Sequence, residues 1–380
     1  MTTSSSDLLI RELHQSAARL VLAATGGGSL AISDLLVVPG ASRTLLEAAV
    51  PYSAEALAAW LGARPEQYCS EPTARVMAMA AYRRAVTYSA GEHLVGAACT
   101  ASLASDRPKR GPHRAYVAVQ TATATASFSL ELAKGRRSRA EEERVVADLL
   151  LNAVAEAAGI SQRLELSLLD AEHVASSRVD APGTWQELLA GTRDLVQYDS
   201  QPATARPAKQ SQLVFPGAFN PLHEGHLKMA SIAAAKVGAP ADFELSITNV
   251  DKPPLDFIEI QKRSTAFGRD RALWLTRAAT FLEKARLFPG ATFVVGVDTI
   301  RRIADPRYYG GQAAADAALS ELRARGCRFL VFGRLGTSGF ETLADVELPE
   351  PLRAMSEGVP ANEYREDVSS TELRSQVEAD

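Results

Sequence analysis

Two histidines three positions apart, His223 and His226, carry the strongest chemical signal in this chain. They lie in residues 213–229, LVFPGAFNPLHEGHLKM. The opening apolar run has the pattern of a buried strand ending at Pro216. Gly217 lets the backbone approach a ligand closely, a tight loop follows, and a helix is predicted from Glu224. Both imidazoles then belong to the first turn, where free N–H groups and the helix dipole attract phosphate. Imidazoles so placed can donate hydrogen bonds to phosphate oxygens as charge builds in an in-line displacement. Taken alone, HEGH is also open to two plainer readings, helix-capping histidines or a pair of metal ligands. No Cys or His cluster completes a zinc site.

A second cluster lies far downstream. Ser369, Ser370 and Thr371 followed by Glu372 make a good helix start, with Arg374 one turn along on the side of Ser370 and Thr371. Asp298 closes the apolar run FVVGVD, and Arg334 follows FLVFG. Lys252, in SITNVDKPPL after another strand, suits an acceptor phosphate. Singly, Lys252 and Arg334 are as readily solvated surface charges, and Asp298 as readily a turn residue.

Elements must hold these groups in place. In the C-terminal half the pattern predicts strands over 212–216, 243–248, 292–297 and 328–332. Helices are predicted over 224–237, 262–284 (with a break at Gly268), 313–325 and 371–378. Such alternation gives a doubly wound parallel sheet with its ligands at the carboxyl ends of the strands. The N-terminal half alternates too. Its predicted helices are 8–20, capped by Asp7, and 140–158, with strands at 21–24, 93–98, 116–121 and 128–132. Beyond residue 160, RLELSLL is a further strand and TWQELLAGTRDLV a helix. Then DSQPATARPAKQSQ, with Pro202 and Pro207 and no large apolar side chain, is a linker. The expected division is a first α/β domain over 1–165, an extension and linker over 166–211, and a second α/β domain over 212–380.

The chain's 380 residues suit two or three domains. With 46% hydrophobic and 23% charged residues, a disordered or collagen-like chain is excluded. Lys and Arg number 41 against 45 Asp and Glu, a net charge of −4, which argues against a nucleic-acid coat but permits a small anionic substrate. Cys69, Cys99 and Cys327 form no CxxC pair. The N-terminus does not have the pattern of a secretory signal, and no run approaches the ~20 apolar residues of a membrane span. A cytoplasmic protein without nucleic-acid or membrane partners is the expectation. Homo-oligomerisation is left open.

GAFNPLHEGH resembles the HxGH motif of the nucleotidylyltransferase superfamily, which transfers a nucleotidyl group from a nucleoside triphosphate to a phosphate-bearing acceptor. SSTELR resembles the ISSTxxR element of nicotinamide-mononucleotide adenylyltransferases, whose hydroxyls, backbone and arginine bind triphosphate. The resemblance covers 212–380 and implies a Rossmann-like doubly wound domain. It implies catalytic roles for His223, His226 and Arg374. Nucleotide contacts would come from Gly217, Ala218, Phe219, Asn220, Gly225, Asp298 (to a ribose), Arg334, Ser369, Ser370 and Thr371. The acceptor would meet Lys252, with Tyr308 or Tyr309 as stacking partner. Magnesium accompanies ATP, with no protein ligand set of its own.

In the N-terminal half, VLAATGGGSLA (21–31) and residues 37–62 resemble the CinA C-terminal family, which includes nicotinamide-nucleotide amidohydrolases. Further matches are Val38-Pro39-Gly40-Ala41-Ser42, Tyr52-Ser53, Leu61-Gly62 and Gly135-Arg136-Arg137, over about residues 7–160. The family's serine (in ESCTGG) and lysine (in YSNxxK) fall on Ala23 and Leu57. Tyr52 remains, and Thr25 is two positions out of register. A methyl cannot attack an amide and an isobutyl cannot take a proton, so a non-hydrolytic domain is expected. Gly26-Gly27-Gly28 and Arg136/Arg137 could retain a nucleotide pocket, or the glycines could serve only a tight turn.

The resulting expectation is AMP transfer from ATP to nicotinamide or nicotinate mononucleotide with release of pyrophosphate. The acceptor phosphate attacks directly, so neither covalent intermediate nor general base is needed. The alternatives are cytidylyl or adenylyl transfer to another phosphorylated acceptor, or an inactive nucleotide-binding regulator.

Overall fold

The computed structural model describes residues 4–91, 93–107, 109–198, 207–250, 253–268, 270–336 and 339–365. The chain divides into two compact units. Unit 1 is Met1–Ala190 with Asp251–Ile260, and unit 2 is Gly191–Val250 with Gln261–Asp380. Both are α/β.

Unit 1 contains α1 (Ser5–Gln15), β1 (Arg19–Thr25), α2 (Leu30–Val37), β2 (Leu45–Ala49), α3 (Ala54–Leu61), α4 (Glu71–Tyr88), β3 (Leu94–Ser102), β4 (His113–Gln120), β5 (Ala124–Leu132), α5 (Arg139–Ala157), β6 (Val174–Asp180) and α6 (Gly183–Ala190). Its sheet runs β2-β1-β3-β4-β5-β6, with β1 parallel to β2 and β3 and the remaining pairs antiparallel. Successive side chains of a strand point to opposite faces. On β1, Leu20, Leu22 and Ala24 therefore pack with Leu9 and Leu13 of α1, Leu35 of α2 and Leu150 of α5. Val21 and Ala23 face the other way, toward α4. Each large apolar side chain buried in this manner stabilises the unit by about 2 kcal/mol.

Local chemistry shifts several boundaries from those read in the sequence. The cap of α1 is Ser4, whose hydroxyl accepts from the Asp7 N–H at 3.1 Å, so Asp7 sits inside the first turn. The helix ends at Gln15, and Leu20 belongs to β1. RLELSLL is not a strand. The Asn152 side chain takes both backbone groups of Leu164, at 2.9 and 2.7 Å, in place of a ladder partner. The sheet's edge is β6 instead.

Unit 2 contains β7 (Leu195–Gln197), β8 (Leu213–Pro216), α7 (Glu224–Val237), β9 (Ala241–Ser246), β10 (Leu273–Thr276), α9 (Phe281–Leu287), β11 (Thr292–Gly296), α10 (Val297–Ala304), α11 (Gln312–Ala324), β12 (Arg328–Phe332), the β13–β14 hairpin (Arg334–Gly336, Gly339–Glu341), α12 (Glu350–Ala354) and β15 (Ser356–Gly358). Helix α8 (Phe257–Thr265) begins in unit 1 and ends in unit 2. The sheet runs β15-β12-β11-β8-β9-β10-β7 and is parallel except for β7. The chain builds outward from β8 through β9 to β10, then returns to the other side of β8 for β11, β12 and β15. The order reverses between β8 and β11, and in such sheets the crevice beyond the carboxyl ends at the reversal is where ligands bind.

The helix expected over 262–284 is replaced by the end of α8, then β10, then α9. Leu273, Trp274 and Leu275 are buried between β9 and β7. An inner strand covered on both faces carries a continuous apolar run that periodicity cannot separate from a helix. Thr280 and Glu283 close a capping box that restarts the helix afterwards. The helix expected over 371–378 lies outside the described residues. Among the described residues, no helix is long and apolar enough to cross a membrane.

Candidate active site

The site grows from the end of β8. Leu213, Val214 and Phe215 are buried, and the chain emerges at Pro216. At Gly217 a Cβ would stand 2.6 Å from the Phe219 ring, which folds back over that backbone. Phe219 makes the turn at a φ of 45°, a conformation L-residues seldom adopt. Its buried ring stands edge-on to Phe215, Phe243 and Phe267 and to His226, with centroids 5.1 to 5.5 Å apart. The aromatic cluster holds the strained turn, and any contact of Phe219 with a nucleotide falls to its backbone. Ala218 is exposed, and its carbonyl accepts from Arg263 Nη1 of α8 at 3.0 Å. Asn220–Pro221 is cis.

The chain then enters α7 with His223 as the residue before its first turn, in extended backbone. The His223 N–H donates to Nδ1 of His226 at 3.3 Å, and the two rings lie 3.8 Å apart at 32°. A Cβ on Gly225 would fall 3.1 Å from the His223 ring and 3.5 Å from the Tyr364 hydroxyl. A larger residue would crowd both. Burial, reinforced by the neighbouring His223, pushes His226 down to about 4. His226 is therefore neutral near pH 7. Because its Nδ1 accepts, its proton is on Nε2, and the ring can offer one N–H donor to an anion. The arrangement can stabilise charge on a phosphate at the helix N-terminus.

Two other strands deliver groups at their carboxyl ends. Asp298 lies in the first turn of α10 and not at the end of a strand, since β11 stops at Gly296. It is paired with Arg334, which follows β12. These two expected nucleotide residues are neighbours. Tyr308 is part-exposed, whereas the Tyr309 hydroxyl donates to the Ile303 carbonyl at 3.0 Å and burial pushes it to about 12. Beneath the site, Glu244 of β9 is fully buried. Its carboxylate receives Lys284 Nζ of α9 at 2.8 Å and the Thr276 hydroxyl, while its carbonyl accepts the Gly217 N–H at 3.0 Å. Lys252, Ser369, Ser370, Thr371 and Arg374 lie outside the described residues. Among the described residues no cluster of three or more His, Cys, Asp or Glu could hold a metal ion.

Sequence reasoning missed Tyr364. Its buried ring stands edge-on to Phe332 at 5.1 Å, Lys228 Nζ lies 5.7 Å from it, and its hydroxyl faces Gly225. The only signal was an aromatic residue shortly before SSTELR. An open cleft of about 510 Å³ lies elsewhere, beside Lys209, Ser211, Gly238 and Gly290 at the amino ends of β8, β9 and β11. That is the end of the sheet away from the histidines, so the histidine end is the candidate site.

In unit 1, Ala23 and Leu57 are buried in one apolar cluster with Ala74, Met77, Ala78, Ala98 and Ala118. The two positions expected from the sequence to match a nucleophile and a base thus lie in one apolar cluster. A cavity of about 260 Å³ opens beside them, lined by Thr25, Gly26, Tyr52, Tyr68, Cys69, Lys109 and Arg139 among others. Burial pushes the Cys69 thiol up, which keeps it protonated at neutral pH. Arg137 does not line this cavity. It pairs with Glu172 at 2.6 Å, and Arg136 is exposed.

No family model matches the chain. A curated protein of Gloeobacter violaceus, "Probable nicotinate-nucleotide adenylyltransferase", is 28% identical over 185 residues, spanning 44% of this chain and 83% of that protein. Among solved structures, the competence/damage-inducible protein CihA of Agrobacterium tumefaciens is 18% identical over 41% of this chain and 98% of its own, with a TM-score of 0.34. A competence-damaged protein (CinA) superfamily protein of Escherichia coli is also 18% identical, over 41% and 87%, with a TM-score of 0.32.

Proposed function

We propose that unit 2 is a nucleotidylyltransferase that transfers AMP from ATP to nicotinate or nicotinamide mononucleotide, in the cytoplasm. The observation that carries this reading is the His223–His226 pair at the N-terminus of α7, beside the reversal point of a doubly wound sheet. The name of the Gloeobacter relative favours a pyridine mononucleotide as acceptor.

An acceptor phosphate oxygen, already ionised, attacks the α-phosphorus of ATP. One P–O bond forms, the bond to the β-phosphate oxygen breaks, and pyrophosphate leaves. Little acid–base work is required, so orientation and charge stabilisation carry the rate. Neutral His226 donates its Nε2–H to the α-phosphate, and the α7 dipole adds a fixed positive partial charge. The 217–220 backbone and Gly225 give the phosphates close approach, while Asp298 meets a ribose and Arg334 the nucleotide. Lys252 and a tyrosine, Tyr308 being the more accessible, serve the acceptor. Ser369, Ser370, Thr371 and Arg374 bind triphosphate. Their segment starts five residues after Tyr364 in the sequence. Magnesium bound to ATP would neutralise phosphate charge.

Unit 1 in this proposal does not hydrolyse amides, because Ala23 and Leu57 supply neither nucleophile nor base. The reading is tested by following pyrophosphate release from ATP and CTP with nicotinate mononucleotide, nicotinamide mononucleotide, phosphoalcohols and a flavin precursor. Turnover confined to ATP and a pyridine mononucleotide supports it. Turnover with another acceptor corrects the substrate, and ATP binding with no turnover makes the protein a nucleotide-binding regulator.

A further inference from the structure

Among the described residues other than glycine, Phe219 alone takes a positive φ, 45°. An L side chain in that region is strained and persists only where its surroundings over-determine it. The first constraint is apolar: Phe219 is 2% exposed, and its ring is held edge-on among Phe215, Phe243 and Phe267. The second is polar: Arg263 Nη1 donates to the Ala218 carbonyl at 3.0 Å. Arg263 lies in the last turn of α8, four residues before Phe267. One short stretch of chain thus supplies both clamps. Arg263, Phe267 and the turn they hold all belong to unit 2.

The clamped carbonyl fixes more than itself. The 218–219 peptide is trans, and in a trans peptide the C=O and the following N–H point in opposite directions. Holding the Ala218 carbonyl against Arg263 therefore turns the Phe219 N–H away from that guanidinium. This N–H has no hydrogen-bond partner among the described residues. A residue so deeply buried rarely leaves its amide unpaired, so the N–H is poised for a group that comes from outside the chain. The turn stands at the end of β8, beside the reversal of the sheet, where the proposed reaction brings phosphate. We infer that Arg263 is a positioning residue for nucleotide binding: by gripping the Ala218 carbonyl it aims the Phe219 N–H at a phosphate oxygen of the triphosphate. Arg263 acts through the peptide and not on the ligand. The strain at Phe219 then has a use, because a relaxed φ would rotate the peptide plane that carries the donor. This inference rests on the proposed binding of ATP at the histidine end of unit 2.

The test uses the full chain, isotopically labelled, as wild type, Arg263→Lys and Arg263→Met. Each protein is titrated with magnesium and ATP alone while the Phe219 amide resonance is followed. Each is then assayed with nicotinate mononucleotide for kcat and both KM values. In wild type the Phe219 amide proton should move downfield on binding, as a new hydrogen bond to phosphate requires. In Arg263→Met that shift should be lost and the ATP KM should rise about tenfold or more, with the acceptor KM within about twofold. Arg263→Lys keeps a charged donor but loses the fork, and falls between the two. If Arg263→Met does not fold, Arg263→Lys decides. An unchanged Phe219 shift and ATP KM in folded Arg263→Met overturns the positioning role and leaves the transfer reading standing. A wild type that shows the shift, loses it in Arg263→Met and forms no product removes the transfer reading and upholds the positioning role. A wild type without the shift overturns the positioning role whatever its turnover.

Discussion

The depressed His226 allows a prediction that needs no substrate. An unfolded histidine titrates near its ordinary value of 6.5, whereas His226 in the folded chain titrates at about 4. Between those two pH values the unfolded chain binds a proton that the folded chain does not. Stability contributed by this site is therefore full above pH 6.5, falls as the pH drops, and is spent by about pH 4. The gap is worth at most about 3 kcal/mol, and less once water reaching the part-buried ring is allowed for. The comparison is wild type against His226→Gln, whose side chain stays neutral throughout. Urea unfolding at pH 7, 6, 5 and 4 should show the wild type losing up to about 3 kcal/mol more than the variant, mostly below pH 6. Parallel pH profiles for the two proteins, or the His226 imidazole resonance (the one missing from His226→Gln) titrating near 6.5, would refute the claim that His226 is held neutral. The catalytic counterpart is that this residue adds no acid limb to the rate near pH 6.5.

Two further outcomes follow from packing. Gly217→Ala forces a methyl to within 2.6 Å of the Phe219 ring, so it should cost about 1–3 kcal/mol in urea unfolding and reduce turnover by moving the ring that stands against His226. Unchanged stability and rate would show that the turn relaxes without it. In unit 1, incubation of the whole protein with nicotinamide mononucleotide should release no ammonia above background, because Ala23 and Leu57 bring only carbon together. Steady release would reveal a hydrolytic centre built from other residues.

Much of unit 2 was legible because its signals are local. The run LVFP, the glycine after it and the amphipathic stretch after His223 specify strand, turn and helix within a short span, and α7 has the bounds its pattern predicts. The strand at Leu273–Thr276 was not legible, since Leu, Trp and Leu in succession fit a covered inner strand and a buried helix equally well. Asp298 was placed one element too early because GVD gives no sign that Val297 begins a helix. The gripping of Asp256 by Arg75 is a long-range fact that no local pattern encodes. Buried Arg75 of α4 donates to both carboxylate oxygens of Asp256 at 2.7 Å, 181 positions along the chain. Ala23 and Leu57 were singled out residue by residue, and the structure adds that both are buried in one apolar cluster.

The central claim is that the imidazole pair at the start of α7 drives nucleotidyl transfer. It is tested most directly by identifying, by mass, the product that the full chain makes from ATP, magnesium and nicotinate mononucleotide, in wild type and in His226→Ala. The account predicts a dinucleotide and pyrophosphate in equal amounts, with the rate reduced on the order of a hundredfold or more in a variant whose circular dichroism is unchanged. A folded His226→Ala protein that forms dinucleotide at the wild-type rate would contradict it.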